Sequence, residues 1–260
     1  MSHTEVFHAE SLHTEVLHTG QKLIQNDACF KFGIDAVLLA DFSSKIIRNN
    51  DLVLDMGCGN GIIPILLAQT SRAQKITGVE IQNEVANLAT ENAKLNKLEE
   101  KISIINADIK DFQKLFTPCT FNDIVTNPPY MKNGSGKKST SEALQIARCE
   151  TKCTLSDIIE CATYNLKSNG NFMMIHRPSR ISEICVLLDK HNLGIKTIRF
   201  VCPKPHTEPT MVLIHAKKDF HPELKVEKDL IVSNEDGSYT EEVRKIYLDS
   251  CQGPNLPYKS

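Results

Sequence analysis

The chain has 260 residues, 41% of them hydrophobic and 24% charged, which suits one large globular domain with a sizeable core and excludes a disordered or fibrous class. No apolar run reaches the ~18 residues of a membrane span, and the residues after Met1 have neither the basic nor the apolar region of a signal peptide, so a monomeric cytoplasmic protein without membrane partners is expected. The formal charge is −2, yet Met131 to Lys218 holds 14 Lys+Arg against 7 Asp+Glu, and a polyanion meets local charge rather than the total.

Residues 3–18 contain a near-repeat, His-Thr-Glu-Val-Phe-His and then His-Thr-Glu-Val-Leu-His. A histidine at every fifth position follows no helix face, so residues 1–22 are read as a peripheral duplication rather than a metal-binding tail. A helix is predicted from Gly33, with Asp35 as N-cap and an apolar face through Val37, Leu38 and Phe42. Strands and helices then alternate. Strands are predicted at Leu52 to Asp55, Ile76 to Ile81, Ile102 to Ala107 and Asp123 to Thr126, with helices at Ile62 to Gln69, Asn83 to Asn96 and Asp111 to Phe116. This alternation implies a mostly parallel sheet covered by helices on both faces. After a polar, basic loop over Met131 to Ser141 come a helix at Leu155 to Leu166 closed by Asn169-Gly170, a strand at Phe172 to His176 and a helix at Arg180 to Lys190. Strands Ile195 to Cys202 and Met211 to Lys217 are expected to close the sheet edge as an antiparallel pair. Residues 23–218 form the expected domain, and 219–260 an acidic extension with a short helix near Glu241 to Leu248. Nine cysteines without a Cys-x-x-Cys pair fit a reducing compartment and no zinc site.

Two constellations carry chemistry. Asp55-Met56-Gly57-Cys58-Gly59-Asn60-Gly61 lies between a strand and a helix, where open α/β sheets bind ligands. Its Gly-x-Gly-x-Gly spacing is shorter than a dinucleotide fingerprint, and the acidic residue before the turn suits the α-amino group of a cationic amino-acid cofactor while repelling a pyrophosphate. The pattern therefore favours S-adenosylmethionine over NAD. Glu80, followed by Ile81 at the end of the second strand, is placed to accept from ribose hydroxyls, and Asp108 after the third either accepts from the adenine amino group or caps a helix. The second constellation is Asn127-Pro128-Pro129-Tyr130. Two prolines fix the backbone and remove two donors, so the Asn127 side-chain oxygen and the Pro128 carbonyl can hold the two hydrogens of a planar amino group, with Tyr130 stacking on it. In isolation the tetrapeptide is also a rigid turn; its place after the fourth strand is what makes it informative.

Together these residues resemble the class I methyltransferases that act on amino groups. Lys31 to Ala40, the glycine turn, Asn127 to Tyr130 and Ile175 to Arg180 are similar to the bacterial tRNA1(Val) adenine N6-methyltransferase family over about Leu23 to Lys217. The resemblance implies a seven-stranded Rossmann-like fold and, as substrate, the adenine 3′ to the anticodon of a valine tRNA. It also implies that Phe32, Gly33, Asp35 and Ala36 join the cofactor pocket. Lys132, Lys137 and Lys138 of the basic loop, and Arg177 and Arg180 after the fifth strand, are candidate phosphate contacts; the two arginines are equally readable as ordinary surface residues. Alternatives are a glutamine methyltransferase acting on a release factor, a guanine N2-methyltransferase, an NAD-dependent oxidoreductase and an RNA-binding module that keeps the fold without catalysis.

Overall fold

The structure, a computed structural model, describes residues 12–16, 20–26, 33–130, 153–220 and 222–249. Its centre is one sheet with strands β3 (Leu52–Met56), β4 (Lys75–Glu80), β5 (Ile102–Asn106), β6 (Phe121–Thr126), β7 (Leu166–His176), β8 (Leu193–Cys202) and β9 (Met211–Lys218). They lie in the order β8-β9-β7-β6-β3-β4-β5, with β9 antiparallel to both its neighbours and the other pairs parallel. The strand order reverses at β3 and β6, so their carboxyl ends open a crevice, the usual ligand site of such sheets.

Strand periodicity explains why both faces are covered. Successive side chains point to opposite sides, and here Val53, Val125, Met173, Ile175 and Leu213 enter one core while Leu54, Ile124, Phe172, Met174, Val212 and Ile214 enter the other. The first core is closed by α1 (Ile34–Ser44), α2 (Ile62–Thr70) and α3 (Asn83–Leu95), the second by α4 (Phe112–Leu115), α5 (Leu155–Asn165) and α6 (Ile181–Lys190). Helix α5 opens with a capping box between Thr154 and Asp157, which satisfies two otherwise orphaned groups.

Three expectations are corrected. Asn169-Gly170 does not close a helix. Strand β7 begins directly at Leu166, and Asn169, with φ +60°, lies in an irregular stretch before regular pairing with β6 resumes at Asn171. Gly170 is required there because a Cβ would meet the carbonyl oxygens of Lys167 and Asn122 at 2.8 and 2.9 Å. The boundary at residue 22 cuts a hairpin, since β1 (Leu12–Val16) pairs antiparallel with β2 (Lys22–Asn26). The boundary at 218 cuts the sheet: β10 (Lys225–Val226) and β11 (Leu230–Ile231) pair parallel with β8, extending it to nine strands, and α7 (Glu241–Asp249) places Val243 and Ile246 in the core of α1. The acidic tail was read as an extension beyond the domain, yet Leu230, Val243 and Ile246 are buried in the core.

Candidate active site

At the end of β3 the chain makes a tight turn in which Gly57, Gly59 and Gly61 have φ of +73°, +55° and +86°, a region that disfavours other residues. The turn is tied down by Gly57 and Cys58 N–H groups donating to the Val79 carbonyl at 2.9 and 3.0 Å. Gly61 is doubly constrained, for a Cβ there would lie 3.2 Å from that of Ala89 in α3. Around Gly57 and Gly59 no described residue stands within 4 Å of an added Cβ, so among the described residues the turn borders open space.

Beneath it Asp55 is fully buried, and neither carboxyl oxygen has a hydrogen-bond partner among the described residues. Burial, reinforced by the nearby Glu80 charge, pushes its pKa up to about 8. An orphaned acid of this kind is costly unless a cation completes it. Glu80 is also buried; its Oε2 accepts from Gly59 N at 3.1 Å and its Oε1 from Gln82 N at 2.9 Å. Burial raises its pKa, partly offset by those backbone donors. Both oxygens retain further acceptor capacity for a diol. Ile81 is half-buried beside it, its carbonyl accepting from Asn106 Nδ2 at 3.1 Å. Asp108 is a cap: its Oδ1 accepts from Lys110 N at 2.9 Å and its Oδ2 lies 3.4 Å from Lys110 Nζ. Cys58 is buried, with its thiol pushed well up by burial and the two carboxylates. Its sulfur would lie 2.7 Å from a Cβ at Gly78, which accounts for that glycine. An unpartnered carboxyl under an open glycine turn, with a second acid at the adjoining strand end, fits S-adenosylmethionine.

Strand β6 runs in register beside β3, Asp55 opposite Val125 and Met56 opposite Thr126, so Asn127-Pro128-Pro129-Tyr130 emerges alongside the glycine turn. The Thr126 hydroxyl donates to the Met56 carbonyl at 2.9 Å, fixing the two motifs to each other. Asn127 is half-buried and Pro128 buried. The Tyr130 hydroxyl lies 2.5 Å from Asn127 Oδ1 and 2.7 Å from Asp35 Oδ2. Burial, and next the Asp35 charge, raise the pKa of that phenol. The Tyr130 ring meets His176 edge-on, with centroids 5.3 Å apart, and carries the Arg177 guanidinium 5.1 Å above one face.

Asp35 is therefore not the N-cap of α1. Gly33 holds that position without a side-chain bond, and Asp35 sits inside the first turn, 7% exposed, with Ala36 N–H donating to its Oδ1 at 3.0 Å. Ala36 is buried beside it. The two arginines separate. Arg177 is exposed, its Nη1 donating to the Thr210 carbonyl at 3.1 Å, whereas Arg180 is buried and forms a two-pronged pair with Glu183 at 3.0 and 2.9 Å, which does not present it to a polyanion. Phe32, Lys132, Lys137 and Lys138 lie outside the described residues.

Asn92 was not singled out in the sequence, and His176 only as part of the stretch Ile175 to Arg180, without a role of its own. Asn92 is fully buried in α3; its Oδ1 accepts from Ile24 N at 2.7 Å, and its Nδ2 donates to the carbonyls of Ile24 and Asn60, each at 3.0 Å. It thus ties the amino-terminal hairpin to the glycine turn. A signal existed, since an asparagine between Ala89 and Ala93 interrupts the apolar face of that helix. His176 is buried; its Nδ1 accepts from Arg177 N at 2.8 Å, and burial, with Arg180 nearby, lowers its pKa to about 4.

Known proteins share this fold. Residues 42–146 match the TRM5/TYW2 methyltransferase domain. Among solved structures, a predicted O-methyltransferase from Agrobacterium tumefaciens superposes with a TM-score of 0.67 at 21% identity, over 84% of this chain and 97% of that one. The tRNA m1G37 methyltransferase of M. jannaschii does so with 0.59 at 20% identity, over 81% and 57%. These two likenesses establish the class I methyltransferase fold. The tRNA1(Val) (adenine(37)-N6)-methyltransferase of Photorhabdus laumondii is 28% identical over 88% of this chain and 92% of its own length. Since the enzyme of that name from Haemophilus influenzae is 30% identical over 84% of this chain and 89% of its own length, the chain belongs to the tRNA1(Val) (adenine(37)-N6)-methyltransferase family.

Proposed function

We infer that the protein transfers a methyl group from S-adenosylmethionine to the exocyclic N6 of adenine 37 in tRNA1(Val). The observation that carries the reading is the joining of two chemistries at adjacent strand ends: an orphaned acid under an open glycine turn, and a rigid pair of acceptors beside it. Relatives named for that reaction, matching over most of both chains, supply the substrate.

When bound, S-adenosylmethionine supplies an electrophilic methyl on a sulfonium that is a good leaving group. Asp55 would hold its α-amino group and Glu80 its ribose hydroxyls. Asn127 Oδ1 and the Pro128 carbonyl would accept the two hydrogens of the adenine amino group, turning the nitrogen lone pair toward the methyl. The N6 lone pair of adenine is conjugated with the ring and poorly nucleophilic. Acceptors that hold both hydrogens favour the geometry in which that pair is released, and fixed positioning supplies much of the rate. The surplus proton departs after the bond to nitrogen has formed, so no general base is needed beforehand. A loop adenine must leave its stack to enter, at a cost of a few kcal/mol, and the face of Tyr130 opposite Arg177 offers it a surface. Arg177, exposed at the mouth, and the lysines of the 131–141 loop are the proposed phosphate contacts.

Incubation with labelled S-adenosylmethionine and tRNA lacking the modification, followed by nucleoside analysis, tests the reading. N6-methyladenosine at position 37 is expected from the wild type and about a hundredfold less from Asn127→Ala, with unchanged cofactor affinity. Label in protein or in guanosine would overturn it.

A further inference from the structure

A phenol carries one proton. The Tyr130 hydroxyl faces two acceptors, Asn127 Oδ1 at 2.5 Å and Asp35 Oδ2 at 2.7 Å, and can donate to only one at a time. In the reading above, Asn127 Oδ1 must be surrendered to the target amino group. A half-buried hydroxyl then left without an acceptor would resist that exchange, because an unsatisfied donor away from water is costly. Everything else about the phenol is held: His176 packs on its edge, Arg177 covers one face, and the ring follows two prolines.

We propose that Asp35 is a positioning residue, the second acceptor to which Tyr130 turns its proton when the target amino group takes Asn127 Oδ1. The exchange balances: an N–H···O bond from substrate replaces the O–H···O bond at Asn127, and an O–H···O bond is kept at Asp35, with no covalent change. The carboxylate is built for this. Its other oxygen is pinned by the Ala36 N–H at 3.0 Å, and Gly33 clears its path, since a Cβ there would lie 2.7 Å from Asp35 Oδ1. With Oδ2 on the Tyr130 hydroxyl and Oδ1 on the Ala36 N–H, Asp35 acts through Tyr130 in this role, and cofactor affinity in its variants separates that role from a direct cofactor contact.

The assignment rests on Asn127 as the amino-group acceptor, and the test separates the two. In Asp35→Asn the Ala36 N–H keeps the amide oxygen, so the NH2 faces Tyr130 and the phenol stays on Asn127. A fall in kcat of about tenfold is expected, with unchanged S-adenosylmethionine affinity by equilibrium binding. Adding Tyr130→Phe removes the competing hydroxyl, so the double variant is expected to run several-fold faster than Asp35→Asn and at the rate of Tyr130→Phe alone. A structural role for Asp35 would make the double variant slower still. Asp35→Ala, which lacks any acceptor, should show the same ordering. A double variant no faster than its Asp35 parent, or cofactor affinity falling in step with rate, would overturn the assignment. Failure of the wild type to form N6-methyladenosine would remove the underlying reading, and this proposal with it.

Discussion

Asp55 in β3 and Asp123 in β6 lie in adjoining strands, Asp123 paired with Val53 two residues before Asp55. Both are fully buried, and burial pushes each up to about 8. Their surroundings differ. Asn171 Nδ2 donates to Asp123 Oδ1 at 2.7 Å, and the oxygen of the same amide faces His215 Nε2 at 2.9 Å. With its nitrogen directed at Asp123, Asn171 can only accept from His215, so that imidazole carries its proton on Nε2. The other Asp123 oxygen has no hydrogen-bond partner among the described residues, and the neighbouring Asp51 carboxyl adds to the upward shift. One oxygen of Asp123 is thus satisfied from within the protein, while neither oxygen of Asp55, under the glycine turn, has a partner among the described residues. Burial and a raised pKa do not distinguish a site from a structural acid; the lack of an internal partner beside open space does.

The largest expected effect breaks this pair apart. Asp55→Asn should weaken S-adenosylmethionine binding about a hundredfold, the loss of a charge-assisted bond, while Asp123→Asn stays within about twofold; calorimetric titration of the two variants decides it, and equal losses would mean that the contrast has been misread. Next comes pH. Because the cation favours the ionised acid, cofactor affinity of the wild type should rise by up to about tenfold per unit as pH approaches 8 and level off above it, and the rise should be absent in Asp55→Asn. A smaller effect concerns stability without cofactor. Each acid has a folded pKa above its unfolded value of 3.8, so the folded state holds the extra proton in between, and stability falls as pH rises from about 4 to 8. Melting temperatures across that range should decline less steeply in either Asn variant, which is where the two acids behave alike. The smallest effect compares the arginines: Arg177→Ala should lower the salt dependence of tRNA binding by about one counterion, and Arg180→Ala, which removes a buried side chain and its two bonds to Glu183, should lower the melting temperature and leave that slope unchanged.

Much of this was legible in the chain itself. Alternation of short apolar runs with amphipathic ones located six of the seven core strands to within two residues and missed the first six residues of β7, because a buried parallel strand and a helix differ in length and period. The glycine turn, the acid before it and the tetrapeptide were legible for a similar reason: a tight turn, a cation contact and a rigid acceptor pair each permit few residue types. What was misread lay where one local rule had two outcomes. Asp35 had the right residue type for an N-cap, and Asn169-Gly170 for a helix stop, yet the first helix is capped two residues earlier at Gly33 and the second ends four residues earlier at Asn165.

The sequence by itself determined the fold class, the cofactor class and the place of the Asn-Pro-Pro-Tyr motif beside the glycine turn, because these depend on period and on residue types at short spacing. Only the tertiary structure decided which polar groups meet. It joined Asp35 to Tyr130 across 95 positions and Asn92 to Ile24 across 68, exposed Arg177 while burying Arg180 three residues later, and folded the acidic tail into the sheet. Contacts between residues far apart in the chain arise from packing of whole elements, and neither spacing nor composition encodes them locally.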